Sequence, residues 1–311
     1  MKKSVFARSF AILLISCIFC SILSGCDSSS KSSSSEPPVY SPLRVLVPEA
    51  PGSDTLGSSP LTLDVSNITQ GYFAAQSDSA DLVTSLQITA PTGVLYSYFI
   101  EPGENAVIPF TEGDGDYTVV GYQQIQGDQY AALYSETLTV ELENEFLPFL
   151  YPNQYVNFSP DSEASKLALS MVSEDTSDID ALKQIYNYVV NNLSYDYDKA
   201  ETVETGYLPD VDETLSTKTG ICFDYAALTT AMLRSCDIPC KLQIGYTGDI
   251  KHAWIDVYIR SKGWVTNAVS FNGDSWSLMD PTFDSSADSD DSEAIQDYIG
   301  NADNYTVQFT R

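Results

Sequence analysis

The chain is 311 residues long, with 43 acidic against 15 basic side chains, a formal charge of −28 at neutral pH and a single histidine. Such a balance excludes nucleic acid as a partner, because that affinity rests on cationic neutralisation of phosphate, and it disfavours an anionic lipid surface. It attracts cations instead, lysine-rich proteins and amines among them.

Residues 1–25 are an address rather than part of the fold. Lys2, Lys3 and Arg8 form a charged start, and residues 10–23 are an uncharged apolar run too short for a comfortable bilayer span. Leu23-Ser24-Gly25-Cys26 then resembles the lipobox of bacterial lipoproteins, in which cleavage before the cysteine leaves Cys26 lipidated as the new N-terminus. Each buried methylene of an acyl chain contributes about 0.8 kcal/mol, so acylation of Cys26 would anchor the protein to the outer face of the cell membrane. Residues 26–39, rich in serine and proline, read as a polar tether. Without its leader the chain keeps 12 basic and 43 acidic residues, a formal net of −31. Its remaining length suffices for two domains with cores of their own.

Residues 40–150 carry the period-two pattern of strands. Leu61, Leu63 and Val65 alternate, as do Leu86, Ile88 and Ala90, and later Leu138, Val140 and Leu142, with residues 117–120 as a further run. Turn clusters at 102–103, 112–115 and 127–128 separate them, and no helical stretch intervenes. An antiparallel sandwich follows, resembling an immunoglobulin-like one in pattern alone, since no cysteine falls between Cys26 and Cys222. Its default role is that of a spacer or protein-contact module.

Beyond the proline- and aromatic-rich junction at 146–155, the character changes. Residues 162–174 read as a helix. Ser177 with Asp180 three residues on approximates a capping box, and Ile179, Leu182, Ile185, Tyr186, Val189, Val190 and Leu193 share one face of the helix after it. Residues 194–218 are polar, acidic and weakly periodic, and predict a long loop at the rim of a cleft, with Tyr195 and Tyr207 as candidate lining residues.

Next comes the stretch around which the chain is organised, residues 218–229, KTGICFDYAALT. Thr219-Gly220 places Cys222 immediately ahead of a run with helical spacing. A cysteine there meets unsatisfied backbone N–H groups and the positive end of the helix dipole, and both stabilise a thiolate over a thiol. Asp224 opposes that effect while favouring the helix N-terminus, and the sequence alone leaves the balance open. The helix ends near residues 234–236, ahead of Pro239. Strands are expected over 241–246, 252–259 and 263–269, with a last strand carrying the alternating Tyr305, Val307 and Phe309 closing the same sheet. The lone histidine, His252, begins the second of these, and residues 275–280 lead into Pro281 with Asp280 just before it. A thiol, an imidazole and a carboxylate in that order are the parts of a cysteine-nucleophile site.

Read together, TGICFDYAALTTAMLRSCDIP, IGY, HAWIDVY, GW and WSLMDPTF are similar to the transglutaminase-like superfamily, especially its bacterial extracytoplasmic members, over residues 161–283. The resemblance implies a papain-like fold with Cys222 as nucleophile, His252 as general base and acid, and Asp280 as the carboxylate orienting the imidazole. Cys236, where that family usually has an aliphatic or small residue, is a departure that bears on packing or redox behaviour rather than on the triad.

These readings define an α+β chain: a leader (1–25), a tether (26–39), a β-sandwich (40–150) and a transglutaminase-like domain (151–311). The expected activity is acyl transfer on extracellular protein or peptide amides through a thioester, ending in transamidation or hydrolysis. The alternatives are a cysteine peptidase or amidase of cell-surface peptides, and a non-catalytic binding or scaffold lipoprotein. With Cys17 and Cys20 in the leader and Cys26 acylated, Cys222, Cys236 and Cys240 remain, an odd number in which the last two read as buried thiols, a strained disulfide between them being the alternative. One histidine and no C-x-x-C pair beyond the leader leave too few ligands for a metal, and no cofactor is expected. The acidic tract at 284–293 lacks the ligand spacing of a calcium loop.

Overall fold

The computed structural model describes residues 45–266, 269–271, 276–278 and 305–311. Cys26, the leader, the tether and Asp280 therefore lie outside the described residues.

The first half forms strands β1 (Thr55–Ser58), β2 (Leu61–Asp64), β3 (Tyr72–Ser77), β4 (Thr84–Thr89), β5 (Leu95–Ile100), β6 (Asn105–Pro109), β7 (Gly115–Gln126) and β8 (Gln129–Val140). They make two antiparallel sheets, ordered β1-β2-β3-β6 and β5-β4-β7-β8. Period-two alternation drives the two together. In β5, Tyr96, Tyr98 and Ile100 are buried while Leu95, Ser97 and Phe99 face outward, and the inward rows of both sheets share one core with Leu61, Phe73, Leu86, Ile108 and Val119 at its centre. The expected strand at 117–120 is the first part of a longer ribbon, β7 and β8 turning at Gly127-Asp128. At the start of β7, Tyr117 donates its hydroxyl to the Gly113 carbonyl at 2.9 Å and pins the preceding turn.

The second half runs through α1 (Glu163–Met171), α2 (Asp178–Asn192), β9 (Ser194–Tyr195), α3 (Tyr197–Thr202), α4 (Val211–Thr217), β10 (Thr219–Gly220), α5 (Cys222–Ser235), β11 (Cys240–Thr247), β12 (Ile250–Ile259), β13 (Gly263–Val265), β14 (Val269–Phe271), β15 (Trp276–Leu278) and β16 (Tyr305–Thr310). The Ser177 hydroxyl caps α2 by accepting from the Asp180 N–H at 3.2 Å, as the sequence suggests. Residues 194–218 differ from the expected loop. They hold two short helices, each capped by an aspartate: Asp196 accepts from Lys199 N–H, and Asp210 from Asp212 and Glu213 N–H. Helices this short escape a periodicity reading because they offer only one or two turns, and here local capping and tertiary packing sustain them.

Helix α5 is buried almost throughout, from Asp224 to Ser235. It lies between α1, α2 and α4 on one side and the sheet β13-β12-β11-β16 on the other. Ala226, Ala227, Leu228, Ala231, Met232 and Leu233 pack against Leu242, Ala253, Ile255 and Val257 of the sheet and Ile185 and Val189 of α2. A helix buried on every side is a core element, which explains why its sequence shows no polar stripe. The terminal strand β16 pairs antiparallel with β11, as its alternation predicts.

One buried side chain joins several of these parts. Arg234, at 1% exposure, donates from Nε and a terminal nitrogen to the Cys240 carbonyl at 3.0 and 2.8 Å, to the Tyr151 carbonyl at 2.8 Å and to the Arg311 main-chain oxygen at 2.9 Å. Burial lowers its pKa to about 10, which still leaves it cationic at neutral pH. Arg311 in turn sits under the sandwich, its guanidinium 4.2 to 4.7 Å from the ring centres of Tyr155, Tyr96 and Tyr98 and donating to the Tyr98 hydroxyl at 2.8 Å. Arg234→Met keeps much of the apolar volume but removes the donor that these carbonyls share, the Arg311 oxygen keeping only its bond from the Leu242 N–H. We expect it to cost about 3 kcal/mol or more in denaturant unfolding; a shift below about 1 kcal/mol would show that water replaces the guanidinium.

Candidate active site

Cys222 is the first residue of α5 and is partly exposed. The first intrahelical bond runs from Tyr225 N–H to the Ile221 carbonyl at 3.1 Å. The amides of Cys222 and Phe223 precede it and have no carbonyl within the helix to bond, so the thiol stands where anions are favoured.

Chain entry to this helix is built from three contacts. The parallel bridge β9–β10 pairs Ser194 with Thr219 and Tyr195 with Gly220. Lys218, in the left-handed region at φ 56°, closes α4 and turns the chain into that bridge. Gly220 is required by close approach: a Cβ there would lie 2.6 Å from Cβ of Asp224.

Asp224, whose influence the sequence leaves open, is fully buried and already satisfied. Its Oδ2 accepts from the Ile221 N–H at 2.8 Å and from Lys199 Nζ at 2.8 Å, while Oδ1 accepts from the Tyr207 hydroxyl at 2.5 Å. Lys199 also donates to the Tyr207 hydroxyl at 2.7 Å. Burial alone would lower the Lys199 pKa, but its bonds to Asp224 and Tyr207 outweigh that and raise it. Burial, then the bond to Asp224, raise Tyr207 to about 12, so it remains a neutral donor. Tyr207 thus belongs to the support of the helix start, whereas Lys199 has no counterpart in the sequence reading. No spacing signal links residues 25 positions apart, and only the bridge of β9 to β10 brings them together.

His252 is the third residue of β12 and is buried at 6% exposure. It pairs with Gly245 of β11, beside a register shift between Ile244 and Gly245 where β16 joins. Bulges of this kind re-aim neighbouring side chains. Its ring lies 6.3 Å from that of Trp254 at an interplanar angle of 16°, and 6.3 Å from Tyr305. The indole of Trp254 packs edge-on to Tyr305 at 5.1 Å, and Trp264 is held by Tyr258, Phe149 and the Lys241 ammonium. Both tryptophans therefore have packing roles, while the side chain of Trp276 lies outside the described residues. Thiol and imidazole come from two elements that pack directly on each other, α5 and β12.

Cys236 and Cys240 are free and buried. Burial pushes both thiols up to about 12, and Cys240 also donates to the Thr230 hydroxyl at 3.5 Å. Among the described residues no group of His, Cys, Asp and Glu could hold a metal ion. An open cleft of about 280 Å³ lies between residues 46–48, β6, residues 152–159 and Leu208-Pro209, without reaching Cys222 or His252.

A cysteine-headed helix packed on an antiparallel sheet, with the histidine on the adjoining strand, defines a papain-like, transglutaminase-like arrangement. Residues 165–281 match the family profile described as Transglutaminase-like superfamily, so this part of the chain is a transglutaminase-like domain. The chain is similar to the UPF0252 protein MJ1282 of Methanocaldococcus jannaschii, 40% identical over 62 residues, 18% of each chain. It is also similar to the uncharacterized protein YebA of Bacillus subtilis strain 168, 24% identical over 183 residues, 51% of this chain and 25% of that one. The matches thus span no more than a quarter of either relative's length. Among solved structures, a candidate cysteine protease from Cytophaga hutchinsonii aligns at a TM-score of 0.37 and 16% identity, over 77% of this chain and 83% of its own. A candidate protease from Parabacteroides distasonis aligns at 0.29 and 11%, over 66% and 63%. Alignments this loose add nothing to the reading of the site.

The packing has a direct chemical consequence. Iodoacetamide applied to the folded protein at about pH 8 is expected to modify Cys222 and spare Cys236 and Cys240, as read by peptide mass spectrometry. Modification of either buried thiol at a similar rate would contradict this burial.

Proposed function

We propose that the protein is a cysteine acyltransferase or amide hydrolase, anchored by lipid at Cys26 to the outer face of the membrane and acting on extracellular proteins or peptides. One observation carries the catalytic part: Cys222 heads a buried helix that packs on the strand bearing the chain's only histidine, inside a domain of the transglutaminase-like superfamily.

In this reading the Cys222 thiolate attacks the carbonyl carbon of a carboxamide, and the oxyanion that forms is met by the Cys222 N–H at the helix start. His252, protonated, gives its proton to the departing amine or ammonia as the C–N bond breaks, leaving a thioester. His252 then takes a proton from the incoming amine or water, whose attack releases the acyl group and returns the thiolate. Asp280 accepts from the imidazole and sets its tautomer. The strong negative charge supports amine acceptors, lysine side chains among them, over anionic ones. The sandwich serves as the spacer or protein-contact part.

The test is mass spectrometry of the protein lacking its leader, incubated with glutamine-containing peptides and a labelled primary amine. Amine incorporation supports transamidation, and cleavage or deamidation supports hydrolysis. Cys222→Ala and His252→Ala should each reduce turnover at least about a thousandfold with the melting curve preserved. Turnover that survives in Cys222→Ala would refute the assignment.

A further inference from the structure

The nucleophile helix carries a difficulty. A carboxylate, Asp224, lies two residues after the cysteine in the same first turn, and at 0% exposure water cannot screen its charge. We propose that Lys199 and Tyr207 are positioning residues that offset the charge of Asp224 and hold it against the helix start, so that α5 can present Cys222 as a thiolate. The inference rests on the reading of Cys222 as nucleophile.

Geometry supports a dedicated arrangement. Asp224 receives three donors from three different segments: the Ile221 N–H, Lys199 of α3 and Tyr207 of the connection to α4. The Lys199 ammonium is tied to both partners and lies 4.4 Å over the Tyr207 ring. Tyr207 packs edge-on to Phe223, the residue between Cys222 and Asp224, at 6.3 Å. The Asp196 cap, which accepts from Lys199 N–H at 2.9 Å, and the Asp196 N–H bond to the Gly220 carbonyl at 2.9 Å fix α3 against the entry of α5. Asp224 can therefore serve as a cap for the helix that aims Cys222 while its charge is compensated from outside the helix.

Electrostatic compensation differs from simple propping in its response to paired substitutions. The readout is the alkylation rate of Cys222 by iodoacetamide in the otherwise intact protein, with circular dichroism confirming the fold. Lys199→Met should slow alkylation about tenfold or more, since it exposes the thiolate to an uncompensated anion. Lys199→Arg should stay within about threefold of wild type, because the guanidinium preserves the charge. Adding Asp224→Asn to Lys199→Met should return the rate to within about threefold of wild type, since it removes the anion itself. If Lys199→Met does not fold, Asp224→Asn alone should alkylate at least as fast as wild type. The proposal is overturned if Lys199→Met reacts at the wild-type rate, if the double variant is no faster than Lys199→Met, or if Asp224→Asn is slower than wild type. None of these measurements needs a substrate, so they stand apart from the turnover test with Cys222→Ala.

Discussion

The Arg234 guanidinium is the joint on which the second half of the chain depends. It leaves the last turn of α5 and binds the main chain at the junction (Tyr151), at the first residue of β11 (Cys240) and at the end of β16 (Arg311). A planar fork of five donors can serve several carbonyls at once, which a lysine ammonium on a flexible stem does poorly. Because β16 enters the sheet beside β11, this one side chain sets the far end of the nucleophile helix relative to the strand next to β12. The same contact passes to the sandwich, since Arg311 lies among Tyr96, Tyr98 and Tyr155.

The near end of α5 shows the opposite physics. There the chain stacks charge and burial against each other: a cysteine at N1, a buried aspartate at N3, and a lysine and a tyrosine reaching in from the preceding segment. Burying a lone carboxylate costs several kcal/mol, so such a group persists only when donors surround it. Gly220 leaves the room that lets Asp224 fold back toward the Ile221 amide. The two ends of one helix are thus fixed by main-chain hydrogen bonds at one and by a compensated ion pair at the other, and the apolar body between them packs on both sides.

Much of this was legible in the residues. Alternation located several sandwich strands because a strand with one buried face must repeat every second residue, and it marked the last strand as well, although only Tyr305 of its three alternating residues is buried there. The Ser177 cap and the face of α2 were readable because the signals are local and span several turns. Cys222 stood out through the Thr-Gly step before a helical run, and His252 through being alone. The helices α3 and α4 were not readable, since one or two turns make no period. The roles of Lys199, Arg234 and Arg311 were equally hidden, because a cation that binds carbonyls or a distant carboxylate leaves no mark on neighbouring positions.

By itself, then, the sequence determined where the longer helices and several of the strands form, that a cysteine opens the central helix, and that the chain is strongly acidic. Those are properties of local spacing, capping and composition, and they act before the chain closes on itself. Only the tertiary structure decided that Asp224 is paired rather than free, and that Arg234 gathers carbonyls from three separate segments. Each of those depends on which segments become neighbours, and the nearness of residues 25 or 77 positions apart is set by packing alone.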